Sequence, residues 1–156
     1  MRRAIIVSFY PYLIPRHELM ASTLAKQGYE VKRVVWNRGS EIEPDRDGCT
    51  VINLPAPMQS SRIFLKLPGL YREISKAMGE TGEEDLLLLT HFFLLPMAWF
   101  SRSSNCKKVY DSPEFFCLDI PEYFGAMRQV VRPLFRIAER LLVKYVDGVM
   151  VCNSRD

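Results

Sequence analysis

Apolar residues along this chain fall into short unbroken runs separated by stretches with helical spacing. Ala4-Ile5-Ile6-Val7-Ser8-Phe9 is such a run, rich in β-branched residues, as expected of a strand covered on both faces. Tyr10 to Pro15 follows as a loop, and Pro15 suits the first turn of a helix, where its missing N–H costs nothing. Leu19, Met20, Thr23 and Leu24 recur at helical spacing, and Gly28 is placed to close that helix as a C′ residue. Val31, Val34 and Val35 predict a second strand ending at Trp36; Ser40 to Gly48 reads as a polar loop or hairpin; Cys49 to Leu54 predicts a third strand. Ser60 to Met78 has helical spacing interrupted by Pro68-Gly69, which predicts a break or kink. Asp85 to Thr90 is a fourth strand, His91 to Phe100 a short helix, Lys107 to Asp111 a fifth strand, Gly125 to Tyr145 a long helix and Gly148 to Cys152 a sixth strand.

Strands that alternate with helices, and that are too apolar for one-sided burial, predict an α/β fold: a doubly wound parallel sheet of about six strands, helices on both faces, Rossmann-like. At 156 residues the chain fits one domain with one core. It is 48% hydrophobic and 25% charged, which favours neither disorder nor a repeat array. A net charge of +3 gives no reason to expect nucleic acid as a partner. The four cysteines form no C-x-x-C pair and only His17 and His91 could join them, so no metal site or disulfide framework is expected, and the thiols fit a reducing cytoplasm. The longest apolar run, Phe92 to Phe100, contains a proline and falls short of the roughly 20 residues that span a bilayer.

A doubly wound sheet raises the question of a dinucleotide. The first βα turn, Ser8 to Pro15, has no glycine through which a backbone could approach a pyrophosphate, and the second strand ends in Trp36-Asn37 where an acid would hold a ribose. No G-x-x-x-x-G-K motif occurs. The stretch Lys107 to Phe116 is more informative: a strand runs into Asp111, Ser112, Pro113 and Glu114 at its C-terminal end, the edge where open α/β sheets take ligands. Asp111 and Glu114 suit a base or a hydroxyl-orienting pair, and equally suit helix and turn caps. Arg16, in a helix first turn with free backbone N–H groups, suits a phosphate or carboxylate, or is an ordinary surface arginine. His91 follows the fourth strand at the same edge as Asp111, as an acid, base or donor, or as a helix-start histidine packed on Phe92 and Phe93. His17, alone on the first helix, reads as structural.

In the long helix Arg128, Arg132, Arg136, Arg140 and Lys144 stand four residues apart, a stripe that winds by only about 40° per step. Val130, Val131, Leu134, Ile137, Ala138, Leu141 and Leu142 take much of the remaining surface. The stripe fits contact with an anionic membrane surface or with phosphate, or a solvated face. Arg62, Lys66, Arg72 and Lys76, interleaved with apolar residues, point the same way.

Pro15-Arg16, Gly28-Tyr29-Glu30-Val31 with Trp36-Asn37-Arg38, Asp47-Gly48, the Val109-Tyr110-Asp111-Ser112-Pro113-Glu114 block and Val146-Asp147-Gly148-Val149 leading to Asn153-Ser154 together carry a family likeness. In this order they resemble the N-terminal, acceptor-side domain of family 4 glycosyltransferases with the two-domain GT-B fold, over essentially the whole chain. The resemblance implies that residues 1–156 form one acceptor-binding domain, inactive alone, with the nucleotide sugar on a donor-binding domain absent from this chain. It implies an acceptor, sugar or lipid-linked, held by Arg16, Tyr10 and Tyr12, with Glu114, Asp111 and His91 as the catalytic set and no cofactor or metal in this chain. The implied setting is cytoplasmic, peripheral at the inner membrane face. The family's His-Asp pair is His91-Phe92 here, and its Asp-x-His-Glu is Asp111-Ser112-Pro113-Glu114. Proline has no side-chain donor and no N–H, so any contact made by the family's histidine is lost. That loss leaves a second implied role, a non-catalytic subunit that recruits the acceptor or docks on the membrane.

Overall fold

The computed structural model describes residues 2–8, 15–37, 48–55, 63–100, 105–112 and 125–151. In chain order the elements are β1 (Arg3–Ser8), α1 (Pro15–Lys26), β2 (Glu30–Asn37), β3 (Cys49–Pro55), α2 (Ile63–Met78), β4 (Leu86–Leu89), a 3₁₀ turn (Phe92–Leu94) running into α3 (Leu95–Phe100), β5 (Lys107–Ser112), α4 (Arg128–Leu142), a second 3₁₀ turn (Val143–Tyr145) and β6 (Gly148–Val151). The six strands form one sheet in the order β3-β2-β1-β4-β5-β6, and every neighbouring pair is parallel. The fold is therefore the doubly wound, Rossmann-like α/β architecture that the apolar runs predict. β2 and β3 pair in parallel, so they are not the two arms of a hairpin; the polar stretch predicted as a loop or hairpin between them lies, but for Gly48, outside the described residues.

Two apolar layers flank the central strands. On one face Ala4, Ile6, Val31 and Leu88 pack beneath Ala21 of α1. On the other, Ile5, Val7, Val34, Leu87 and Leu89 meet Leu70, Ile74 and Met78 of α2 and Met97 of α3. β1 and β4 sit between these layers, which is why they read as unbroken apolar runs.

α1 ends as Gly28 foretells. Gly28 has φ 83°, its N–H donates to the Ala25 carbonyl at 3.0 Å, and the Tyr29 N–H donates to the Leu24 carbonyl at 3.1 Å, the paired bonds of a Schellman motif. Of the predicted α1 row, Met20 and Leu24 pack on the core beside buried His17 and Ala21, while Leu19 is exposed and the Thr23 hydroxyl turns back to the Leu19 carbonyl at 2.7 Å. The core-facing row thus starts at the histidine.

α2 is not broken at Pro68: it continues through it as one helix. Leu70, Ile74 and Met78 recur at four-residue spacing on its buried face, whereas Pro68 and Gly69 are exposed. Burial of that row outweighs a local loss of one backbone bond.

Candidate functional site

The C-terminal edge of the sheet collects polar groups that the core ought to exclude. Ser8 ends β1, Thr90 and His91 follow β4, and Asp111 and Ser112 end β5; all five are buried. The strand register sets Ser8 beside Val35 of β2, and Arg33 lies two residues earlier on the same face of that strand, also buried. Thr90 ties this edge together, since its N–H and hydroxyl both donate to the Val7 carbonyl, at 3.2 and 2.9 Å.

Asp111 is the centre of the group. Its side chain is 0% exposed, and two cationic or ionisable groups reach it from the first turn of α1. Arg16 Nη2 lies 2.6 Å from Oδ1, and His17 Nε2 lies 3.3 Å from Oδ2. The cause is topological. β1 ends at this edge and α1 begins there, so the first turn of the helix is set above the end of β5, across the intervening β4. A buried carboxylate requires nearby positive charge and hydrogen bonds to remain ionised. Here the charge is present, but neither Asp111 oxygen accepts a well-aligned hydrogen bond among the described residues, and neither His17 Nε2 nor the Ser8 hydroxyl makes one. Close approach without aligned donors leaves acceptor capacity at the carboxylate. Arg16 is 23% exposed, so its guanidinium spans from the buried acid to the surface.

This arrangement has two chemical uses. The carboxylate can accept the proton of a hydroxyl brought to the edge, directly or as an orienting hydrogen bond. The Arg16 fork, at the positive end of α1, can hold an oxyanion beside it.

The structure brings Arg16 and Asp111 into contact. It places His91 at the same edge in a capping role: its Nδ1 accepts the Phe93 N–H at 3.2 Å, and its ring stacks on Phe93 at 5.3 Å between centroids. A neutral ring bonded in this way carries its proton on Nε2. Glu114, Tyr10 and Tyr12 lie outside the described residues. Arg128, Arg132, Arg136, Arg140 and Lys144 are exposed on α4 and its 3₁₀ extension.

Sequence reasoning passed over His17 and Arg33. His17, Ala21 and Leu24 stand at i, i+4 and i+7, a helical row that includes the imidazole. Arg33 alternates with Val31 and Val35 along β2, so period-two burial assigns it to a core face, where an arginine needs acceptors.

No family model and no curated protein matches the sequence. Among solved structures, the chain is similar to an alpha,alpha-trehalose-phosphate synthase (UDP-forming) from Burkholderia vietnamiensis, with a TM-score of 0.53 and 14% identity over 94% of this chain. It spans 39% of the length of that synthase. It is also similar to a short-chain dehydrogenase/reductase from Veillonella parvula DSM 2008, with a TM-score of 0.49 and 11% identity over 97% of this chain and 68% of the other. At such identities the shared property is the fold alone: this chain is a Rossmann-like α/β domain.

Proposed function

We propose that this chain is the acceptor-binding domain of a GT-B glycosyltransferase of the family 4 kind, with Asp111 receiving the acceptor hydroxyl. The observation that supports it most is the buried Asp111 carboxylate, drawn to Arg16 and His17 at the ligand edge of the sheet but with no aligned hydrogen-bond donor among the described residues. Carboxylates in a purely structural role are satisfied by their neighbours. A sugar hydroxyl supplies the missing donor. The likeness to the trehalose-phosphate synthase fits this reading at the level of fold.

A second domain or subunit would bring the nucleotide sugar to the cleft above this edge. In the transfer the acceptor oxygen bonds to the anomeric carbon and the nucleoside diphosphate leaves with the electrons of the broken glycosidic bond. The acceptor proton passes to Asp111 or Glu114. Arg16, with Tyr10 and Tyr12, holds the acceptor, and the imidazole of His17 stands 3.3 Å from the Asp111 carboxylate. His91 is assigned to the wall of the site, on the strength of its bond to the Phe93 amide. A non-catalytic acceptor-recruiting subunit is the second reading, favoured by proline at position 113.

Ligand-observed NMR with a panel of monosaccharides and sugar phosphates tests the proposal. Saturation transfer is expected for at least one sugar with the native chain and is expected to disappear in Asp111→Asn. Binding of free nucleotides that Asp111→Asn leaves intact, with no sugar bound, would overturn the acceptor reading in favour of a small nucleotide-binding protein. Turnover of nucleotide sugar by this chain alone would overturn the division of labour.

A further inference from the structure

α4 carries a second exposed stripe beside its basic one, and this one is apolar. Val130, Leu134, Ile137 and Leu141 are each between 53 and 63% exposed. On a helical projection they fall within about 60° of arc and run for about 16 Å. The residues that pack inward are a different set: Phe135, Ala138 and Leu142 lie against Phe92, Leu95 and Tyr110, centred about 100° around the helix from the exposed row. The apolar residues of α4 therefore divide between core and surface, and half of them have no core to explain them. Met127 and Tyr145 extend the exposed row at its two ends.

The third sector of α4 is the cationic one. Arg132, Arg136, Arg140 and Lys144 are all exposed along it. Glu139 is the sole acid between residues 128 and 145, and its carboxylate faces the Tyr110 hydroxyl at 3.4 Å, on the packed side. The outward surface thus combines an apolar row with a cation row and carries no acid. Like charges four residues apart disfavour an isolated helix, and a polyanionic plane offsets all of these repulsions at once. A second copy of this chain would set the same cations against themselves.

We propose that the outer face of α4 docks on the surface of an anionic lipid bilayer, its apolar row entering the headgroup boundary and its arginines meeting the lipid phosphates. Arg and Lys stems reach sideways from such a helix, keeping their charges at headgroup level while the apolar row is immersed. This docking does not rest on the sugar-transfer reading. It would hold the domain at a membrane whichever ligand the Asp111 edge takes.

The test is co-sedimentation of the full chain with phosphatidylcholine vesicles, with and without added phosphatidylglycerol. Binding is expected only with phosphatidylglycerol and is expected to weaken as salt is raised. Replacing Arg132 and Arg136 by Gln together should lower the partition coefficient about thirtyfold. Replacing Leu134 and Ile137 by Ser together should lower it about tenfold, with the far-UV circular dichroism unchanged because both side chains are exposed. Equal binding to neutral vesicles, or anionic binding indifferent to Leu134 and Ile137, would overturn the proposal. So would concentration-dependent dimerisation abolished by the Leu134 and Ile137 substitutions, since that face would then be occupied by a second copy.

Discussion

Asp85 and Asp111 are both buried carboxylates beside arginines, at opposite edges of one sheet. Asp85, just before β4, accepts the Arg3 backbone N–H at 2.9 Å, the Gly82 N–H at 2.8 Å and the Arg3 guanidinium at 2.6 Å. The same guanidinium also donates to the Glu80 carbonyl. Burial acts to raise the Asp85 pKa, but the Arg3 side chain, the two backbone amides and the Arg3 charge together hold it below the ordinary carboxylate value. Asp111, the next-to-last residue of β5, has an arginine just as close and an imidazole besides, but no aligned donor among the described residues. One acid is consumed by the fold. The other is held in place with no aligned donor among the described residues, and that difference, more than burial or charge, separates a structural carboxylate from a candidate functional one.

The contrast is broken most directly at Asp85. Asp85→Ala removes three donors' common acceptor and strands part of a buried ion pair, so it should cost about 3 kcal/mol in urea unfolding. A cost near zero would mean that satisfied hydrogen bonds are no guide to structural role here. The pH dependence follows with a definite sign. Because the folded Asp85 is held below its ordinary value of 3.8, its contribution is complete above that pH and is lost as the pH falls through the folded value. The urea midpoint should therefore drop on acidification below about pH 4, and Asp85→Asn should remove that part of the drop.

Much of the frame on which these acids sit is visible in the chain. β1 and β4 lie inside the sheet and pack on both faces, so Ile5 to Val7 and Leu87 to Leu89 read as unbroken apolar runs that cannot be confused with amphipathic helix. Gly28 marks the end of α1 because only a residue tolerant of positive φ closes a Schellman motif without strain. The continuation of α2 through Pro68 was not visible, since the local penalty is written in the sequence whereas the burial of Leu70, Ile74 and Met78 that offsets it depends on β1 and β2. Nor was the division of the α4 apolar residues. Periodicity shows that Leu134 and Leu142 lie on the apolar side, but only the position of Phe92 and Tyr110 decides that Leu142 packs and Leu134 is exposed. Of the candidate site, Arg16 and Asp111 could be named from their places at a helix start and a strand end. Their contact could not, because they are joined across 95 residues by the strand order alone.

Asp111→Asn sharpens the comparison with a smaller effect. The neutral amide keeps the shape of the side chain and relieves the cost of a buried charge, while Arg16 is already partly in water. Stability should stay within about 1 kcal/mol of the native chain, and a loss as large as that of Asp85→Ala would make Asp111 a second structural pin.

Arg16→Lys is the most delicate case. Lysine keeps the charge near Asp111 but replaces a planar fork with a single rotating ammonium. If Arg16 serves only to neutralise Asp111, the two side chains are nearly equivalent, and both the urea midpoint and sugar-phosphate binding should be unchanged. If the guanidinium holds Asp111 with one nitrogen and a ligand oxyanion with another, lysine cannot do both. The expected outcome is a change in stability of no more than about 0.5 kcal/mol, with ligand-observed NMR showing weakened binding of sugar phosphates and little change for neutral sugars. Equal weakening of both ligand classes would place the arginine in shaping the pocket, and the oxyanion role would then fall to the backbone N–H groups at the start of α1.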